Sequence, residues 1–316
     1  TRRPPRYANP GLEYNGVEKD FQSGEYGPTL VNDFALDFIT RHKDKTFFLY
    51  YPMMLTHDPF QPTPDSPDWD PKAIGEKVNK DVKHFADMTA YMDKMVGKVD
   101  AKLDELGIRE NTLLLFLGDN GTHSTVTSRF QETDYRGGKG TTTQRGTHVP
   151  FIASWPATMK AGRVCQDLVS SVDFLPTMCE AAGVAAPQRT DGVSFLPQLR
   201  GEPGKPRQWL YSWYSPRQRL ELTVREFAFD QNYKLYRDGR LFDLQADPFE
   251  QRALDAASTP SKAAASVDKL KRALAQFANA RPAELDAAFE KSQQPPPNTK
   301  KRAARKERDE KASEQE

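Results

Sequence analysis

Two polar residues at the end of an apolar run have the types and spacing to bind a metal ion. Residues 113–117 are apolar, and Gly118-Asp119-Asn120-Gly121 follows directly. An apolar run closed by glycine is typical of a strand buried on both faces of a parallel sheet, and such sheets bind ligands beyond the carboxyl ends of their strands. Asp119 and Asn120 offer the oxygen ligands that Ca²⁺ or Mg²⁺ prefers. A plain strand-end turn explains the same residues equally well.

Two further polar clusters contain groups that could act on an anion. His57 follows a predicted strand, where a histidine can serve as acid, base or hydrogen-bond donor. Lys139 lies in a glycine-rich loop whose backbone can approach an anion while the ammonium supplies charge, although the spacing is not that of a P-loop. Each cluster alone is also typical of a solvated loop. Together with Asp119, Asn120 and His123, they favour hydrolysis of a tetrahedral anionic ester.

The elements that must position these residues alternate between amphipathic helices and short apolar strands. This alternation predicts an α/β domain with a mostly parallel sheet and flanking helices. In chain order, the predicted elements are helix 29–43, strand 47–51, helix 77–106, strand 113–117, loop 121–148, strand 149–155 and helix 166–182. The first 28 residues are predicted to be irregular surface chain. The loop 121–148 is long enough to indicate either a functional role or disorder.

The composition changes near residues 200–207, and a second set of elements follows. The Asp238-Gly239 pair is a hairpin signal. The predicted strands are 209–214, 222–229, 232–236 and 240–244, followed by helix 261–279. We therefore predict three regions, which are an α/β domain over 1–205, a small antiparallel sheet-and-helix subdomain over 206–290, and a disordered charged tail over 291–316.

The overall composition excludes some functional classes. The 316 residues carry 45 basic and 44 acidic side chains, a formal charge of +1 that does not indicate a nucleic-acid partner. No stretch approaches the roughly 20 apolar residues of a membrane span. Cys165 and Cys179 fit either one disulfide or two buried thiols. The chain begins at Thr1 with no visible signal peptide, which is compatible with a processed or truncated start.

Several motifs, in this order, resemble those of the arylsulfatase-type sulfatases of the alkaline-phosphatase superfamily. They cover most of residues 29–251. The matching segments are FFLYYPMMLTHDPF (47–60), LLLFLGDNGT (113–122), GGKGTTTQRGTHVPFIASWPA (137–157), SSVDFLPTMCEAAGV (170–184), DGVSFLPQLRG (191–201) and YKLYRDGRLFDLQADPFEQ (233–251). The resemblance implies an alkaline-phosphatase-like α/β fold and hydrolysis of a sulfate ester to an alcohol and sulfate.

The resemblance also implies roles for individual residues. Asp119 and Asn120 would bind one divalent cation, usually calcium, and His57 and Lys139 would be the catalytic groups that contact the sulfate. His123 and His148 would be weaker candidates for substrate binding. The substrate would be a sulfated small molecule or polysaccharide. The resemblance further implies a periplasmic or secreted location, while the oligomeric state stays open.

Departures from the family pattern point to an incomplete catalytic domain. The family nucleophile is a formylglycine made from a C/S-x-P-x-R motif, and this sequence lacks that motif. It also lacks the family's paired aspartates and the upstream lysine-histidine segment. Gln144-Arg145-Gly146 stands where relatives often have Glu-Gly-Gly. We therefore expect a sulfatase without its amino-terminal part and inactive on its own. The alternatives are a phosphate or phosphonate ester hydrolase of the same superfamily and a non-catalytic remnant of the fold.

Overall fold

The structure, a computed structural model, describes residues 5–73, 80–215, 225–255 and 261–293. The chain forms two compact units. Unit 1 comprises Thr1–Thr141, Arg145–Cys165 and Pro197–Pro203, and unit 2 comprises Thr142–Gln144, Gln166–Leu196 and Gly204–Glu316. Among the described residues, no helix has the length and apolar character needed to cross a bilayer.

Two long helices form the core of unit 1. Helix α1 spans Gly27–His42 and α2 spans His84–Glu105, close to the predicted helices except that α2 begins later than residue 77. Residues 74–79 lie outside the described part of the chain. The α2 residues Met88, Tyr91 and Met95 are buried against Tyr7 and Tyr26. This apolar packing places the segment around Tyr7 beside the helix that precedes the predicted metal-binding strand.

The strands on either side of the predicted functional loop pair with each other in unit 1. Numbered in chain order over the whole chain, they are β3, Leu114–Leu117, and β6, Phe151–Ser154. Both strands were predicted, but they pair antiparallel, with Leu114 opposite Ser154 and Leu117 opposite Phe151. All strand ladders among the described residues are antiparallel, so the mostly parallel sheet is not found there. A parallel pair needs two neighbouring strands joined by a crossover, and the described residues bring together no such pair here.

The predicted strand 47–51 is not a strand in the structure. The segment joins no ladder, and Phe48 and Tyr50 are 69% and 77% exposed. Its neighbours Phe47, Leu49 and Tyr51 are half-buried, so exposure alternates along an unpaired extended segment. The prediction of a short apolar strand at 47–51 was wrong because it inferred a ladder partner from apolar character alone.

Two hairpins of unit 1 were not predicted. Strands β1, Gly11–Tyr14, and β2, Val17–Asp20, are joined by Asn15 and Gly16 with φ of 52° and 84°, the left-handed pair of a tight hairpin turn. Strands β4, Thr127–Phe130, and β5, Thr133–Arg136, pair inside the region predicted to be irregular. Most of these strand residues are exposed, so the sequence shows no apolar alternation there.

Unit 2 contains a four-stranded antiparallel sheet whose strands lie side by side in chain order. Its strands are β7 (Leu210–Tyr214), β8 (Arg225–Phe229), β9 (Tyr233–Tyr236) and β10 (Leu241–Asp243). The antiparallel pairing of β9 with β10 confirms the hairpin predicted at Asp238-Gly239, and the other strands pair antiparallel as predicted for this subdomain. Residues 222–224 of the predicted second strand lie outside the described residues. Beyond α2, the helices among the described residues are α3 (Gln144–Thr147), α4 (Phe174–Ala181), α5 (Leu196–Arg200), α6 (Ala264–Gln276) and α7 (Ala283–Gln293).

Three predictions for the second half of the chain need correction. The predicted helix 166–182 is a 3₁₀ turn at Ser171–Asp173 followed by α4, because the capping box of Ser170 and Asp173 fixes a later start. The predicted disordered tail includes the last turn of α7, at residues 291–293, and its remainder lies outside the described residues. Both cysteines are free, and Cys165 is exposed, so neither the disulfide nor a buried Cys165 is found.

Candidate active site

A buried tyrosine fixes the loop that carries His57. The Tyr7 hydroxyl donates to the backbone carbonyl oxygen of His57 and lies 3.2 Å from that of Met54. The His57 Nδ1 atom lies 2.6 Å from the Asp58 carbonyl oxygen and 3.2 Å from its carboxylate. Since a carbonyl oxygen only accepts hydrogen bonds, Nδ1 carries the proton and Nε2 is the nitrogen that can exchange one. The His57 side chain is 44% exposed and can therefore reach a ligand from solvent.

Close backbone contacts fix the turn that carries Asp119 and Asn120. The Gly118 amide donates to the Pro150 carbonyl oxygen at 3.0 Å, and the Gly121 amide donates to that of Gly146 at 3.0 Å. A Cβ atom at Gly121 would lie 1.9 Å from the Arg145 carbonyl oxygen, so only glycine fits there. Asp119 is exposed and Asn120 is half-buried. The turn is therefore held rigidly while its carboxylate faces solvent.

The same turn holds the backbone of the lysine loop. The Lys139 amide donates to the Thr122 carbonyl oxygen at 2.9 Å, and the Gly137 amide donates to that of Val126 at 2.9 Å. The Val126 amide in turn donates to the His123 carbonyl oxygen at 3.0 Å. Lys139 thus lies next to the segment that follows Asn120, and its side chain is half-exposed.

An aromatic contact joins the His57 loop to this segment. The rings of Phe60 and His123 meet edge to face with their centroids 6.1 Å apart. Phe60 is three residues after His57, and His123 is three residues after Asn120. The structure therefore brings the three predicted loops into one connected set of contacts, while the chemical roles of their side chains stay predictions.

A cavity of about 400 Å³ opens beside these loops. Of the predicted site residues, Asn120 and His148 line it, whereas Asp119, His57, His123 and Lys139 are not among its lining residues. Tyr135 of β5 and Arg145 of α3 also line it, and neither was predicted as a site residue. Burial raises the pKa of Tyr135, and the nearby charge of Arg145 opposes that rise. The only sequence signal for Arg145 was its place where relatives often have glycine.

The described residues form only part of a metal site. Asp119 and Asn120 supply two oxygen ligands of the type that suits a hard cation. However, the described residues include no group of three His, Cys, Asp or Glu side chains that could hold an ion. Calcium takes six to eight oxygen ligands, so this pair does not complete a site by itself.

Comparison with known proteins assigns the family. The sulfatase family model matches residues 4–184, and the model "N-sulphoglucosamine sulphohydrolase, C-terminal" matches residues 139–280. The chain belongs to the sulfatase family, as the sequence motifs predicted. That family implies a metal ion and a formylglycine nucleophile in general.

Individual relatives agree with this assignment. The chain is 34% identical to human arylsulfatase A over 177 residues, which are 55% of the chain and 33% of the relative. It is 32% identical to bovine arylsulfatase A over 225 residues, which are 68% of the chain and 41% of the relative. The chain thus spans well under half of these proteins. A solved structure of BT4656 in complex with its substrate D-glucosamine-2-N,6-O-disulfate has the same fold, with a TM-score of 0.64, 16% identity, and coverage of 92% of this chain and 75% of that one.

Proposed function

We propose that this chain supplies His57 and Lys139 as the groups that act on the sulfate in the hydrolysis of a sulfate ester to an alcohol and sulfate, a reaction for which its sequence contains no formylglycine motif. The observation that carries the proposal is the 2.9 Å hydrogen bond between the Lys139 amide and the Thr122 carbonyl oxygen. That bond sets the lysine loop beside the Asp119-Asn120 turn. A turn with two candidate cation ligands beside a loop that carries a lysine suits a transition state with negative charge on the sulfate oxygens.

Each residue has a distinct part in the proposed chemistry. The Lys139 ammonium stabilises charge that develops on the sulfate oxygens as the S–O bond breaks. His57 keeps its Nδ1 proton hydrogen-bonded to Asp58, takes up a second proton on Nε2 from water, and delivers that proton to the departing alkoxide, which returns the ring to its neutral form. Asp119 and Asn120 contribute two ligands to a divalent cation, proposed to be calcium, which supplies Lewis-acid stabilisation when bound. His123 and His148 are proposed to contact the rest of the substrate.

We propose a sulfated sugar as the substrate class. The structure of BT4656 contains a sulfated glucosamine described as its substrate, and that protein has the same fold. Phe130, Tyr135 and Arg145 are among the residues that line the cavity beside Asn120. Aromatic faces and arginine suit a sugar ring that carries anionic groups. We also propose a periplasmic or secreted location, as the family resemblance implies.

Binding of inorganic sulfate tests the proposal without requiring turnover. In a titration followed by amide NMR, we expect saturable shifts confined to residues 118–123 and 137–141 and to the His57 loop. Lys139→Ala should abolish these shifts, and Lys45→Ala, which removes an exposed lysine of unit 1, should preserve them. Equal binding by wild type and Lys139→Ala would refute the role of Lys139. No saturable binding by wild type would favour the non-catalytic remnant.

Turnover is a separate question from binding. The C/S-x-P-x-R motif that yields the family nucleophile is absent from the sequence, so we expect no hydrolysis of p-nitrophenyl sulfate by this chain alone. Sustained release of p-nitrophenol by the purified chain, lost in Lys139→Ala, would show that another group supplies the nucleophile.

A further inference from the structure

The cavity beside Asn120 has the size and charge of a binding site for an anionic group. Every residue that lines it belongs to unit 1. Its volume of about 400 Å³ lies within the range of small-molecule sites in proteins. Arg129 and Arg145 line it, and none of the described lining residues is acidic. The positive charge of these side chains therefore favours an anion over a neutral or cationic ligand.

Arg145 is the arginine better placed to hold an anion in this cavity. The Arg129 side chain is 67% exposed and lies 2.9 Å from the Glu132 carboxylate, so water and that carboxylate weaken its attraction for another anion. Arg145 is half-buried, and its charge opposes the rise in pKa that burial gives Tyr135. The guanidinium therefore lies near the Tyr135 hydroxyl, in the wall of the cavity. An arginine can offer two parallel N–H donors to a sulfate or carboxylate.

The backbone of Arg145 is fixed by the two loops of the candidate active site. A Cβ atom at Gly121 would lie 1.9 Å from the Arg145 carbonyl oxygen, and one at Gly138 would lie 2.5 Å from the Arg145 Cβ. The Gly121 amide also donates to the Gly146 carbonyl oxygen at 3.0 Å. Gly121 and Gly138 belong to the loops that carry the proposed cation ligands and the proposed catalytic lysine. Arg145 thus adjoins both loops directly.

The cavity lies beside the proposed sulfate site and does not coincide with it. Asn120 lines the cavity, whereas Lys139 and His57 are not among its lining residues. A substrate whose sulfate is held at Lys139 would therefore enter the cavity with another part of its structure.

We propose that Arg145 binds a second anionic group of the substrate, so that the substrate class is a sugar with two anionic groups, of which at least one is a sulfate ester. This inference rests on the proposed function, because it assumes that Lys139 holds the first sulfate. The first sulfate keeps the second group close to Arg145, so the tethered group binds there at a much lower concentration than a free anion does.

Isothermal titration calorimetry with four sugars tests this proposal. The probes are glucose 6-sulfate and the three glucose disulfates that carry the second sulfate at O2, O3 or O4. We expect at least one disulfate to bind about tenfold more tightly than glucose 6-sulfate, because it gains charge-assisted hydrogen bonds to Arg145.

Variants of Arg145 assign this preference to its guanidinium. Arg145→Gln should remove the preference and leave the affinity for glucose 6-sulfate unchanged. Arg145→Lys should keep part of the preference, because it retains the charge without the paired donors. Arg41→Gln is the matched control, since it removes an exposed arginine of α1 that lies outside the cavity lining, and it should keep the full preference.

A measurement on the wild type keeps the test decisive if Arg145→Gln fails to fold. The disulfate that binds most tightly should shift the NMR signal of the Arg145 Nε–H group, and glucose 6-sulfate should leave that signal in place. An unmoved Arg145 signal in the presence of saturating disulfate overturns the proposal.

The outcomes separate this proposal from the proposed function. Binding of glucose 6-sulfate with no tighter binding of any disulfate overturns the second subsite and leaves the proposed function standing. A preference that persists in Arg145→Gln also overturns it, because other charges then explain the effect. A preference lost in Arg145→Gln, together with unchanged affinity for glucose 6-sulfate in Lys139→Ala, supports the Arg145 subsite and refutes the role of Lys139. Binding of none of the four probes overturns both proposals.

Discussion

Replacing Tyr7 by phenylalanine tests how the loop of His57 is held. The Tyr7 ring is 1% exposed, and its hydroxyl bonds to the carbonyl oxygens of His57 and Met54. Tyr7→Phe keeps the ring and leaves the His57 carbonyl oxygen without this donor, whereas the Met54 carbonyl oxygen still accepts from the His57 amide at 3.2 Å. We expect it to lower the free energy of unfolding of unit 1 by about 2 kcal/mol at pH 8, the sum of a lost hydrogen bond and an unsatisfied buried acceptor.

The difference in unfolding free energy between wild type and Tyr7→Phe should also depend on pH, which gives a second quantity to measure. Burial raises the pKa of Tyr7 to about 12 from a usual value of 10.0. A raised folded-state pKa gives stability that is present below pH 10 and is lost as the pH rises towards 12. By pH 11 the wild type should have lost about 1.4 kcal/mol through this group, and Tyr7→Phe should have lost none of it. The gap between the two proteins should therefore shrink from about 2 to about 0.6 kcal/mol.

Urea unfolding followed by the fluorescence of Trp69 and Trp155 measures this gap, because both tryptophans lie in unit 1. Tyr50→Phe is the matched control, since Tyr50 is 77% exposed and should show neither effect. Stability curves of wild type and Tyr7→Phe that run parallel from pH 8 to pH 11 would refute the reasoning about the buried hydroxyl.

Three further substitutions test the packing around the site and in unit 2. Gly121→Ala should destabilise unit 1 by about 2 kcal/mol in urea unfolding, because its Cβ would meet the Arg145 carbonyl oxygen at 1.9 Å. Gly97 lies on α2, and apart from its own helix backbone no atom of the described residues lies within 4 Å of the position of an added methyl group, so Gly97→Ala should leave the free energy of unfolding unchanged or raise it. Equal losses of unfolding free energy in the two variants would contradict the steric argument. Asp173→Asn should cost about 3 kcal/mol, because the 2% exposed carboxylate pairs with Arg207, and an unchanged midpoint would show that the pair contributes nothing. Arg281→Met should cost about 3–5 kcal/mol by leaving buried Glu226 without its closest partner, with Trp209 and Trp213 as the reporters, and a loss below 1 kcal/mol would contradict this estimate.

The sequence predicted elements best where local signals and burial agree. Helix α2 was predicted from its buried stripe, which includes Met88 and Met95, and the structure ends it before Gly107, which has φ of +68°. The hairpin at Asp238-Gly239 likewise carries its turn residues in the sequence. The Asn15-Gly16 hairpin carried the same type of signal but was read as irregular chain, because its strands lack a continuous apolar face.

Features that depend on distant contacts could not be read from the sequence. Apolar residues 47–51 gave no indication that the segment would lack a ladder partner, and 113–117 gave none that it would pair antiparallel with 151–154. The candidate site residues were predicted from sequence motifs. The structure adds the hydrogen bonds and the ring contact that join the loops carrying these residues. Arg145 and Tyr135 were missed because neither belongs to a periodic apolar pattern, although Tyr135 lies half-buried in the short strand β5 and Arg145 half-buried in the short helix α3.

Paramagnetic relaxation by Mn²⁺ tests most directly whether His57, Asp119, Asn120 and Lys139 face one site. Mn²⁺ accepts the same hard oxygen ligands as calcium and broadens NMR signals around the place where it binds. We predict that the amides of Asp119 and Asn120 broaden at the lowest Mn²⁺ concentration, that the Lys139 amide and the His57 ring follow, and that Asp119→Asn removes all four effects. Broadening centred on another acidic group, with His57 and Lys139 unaffected, would contradict the account.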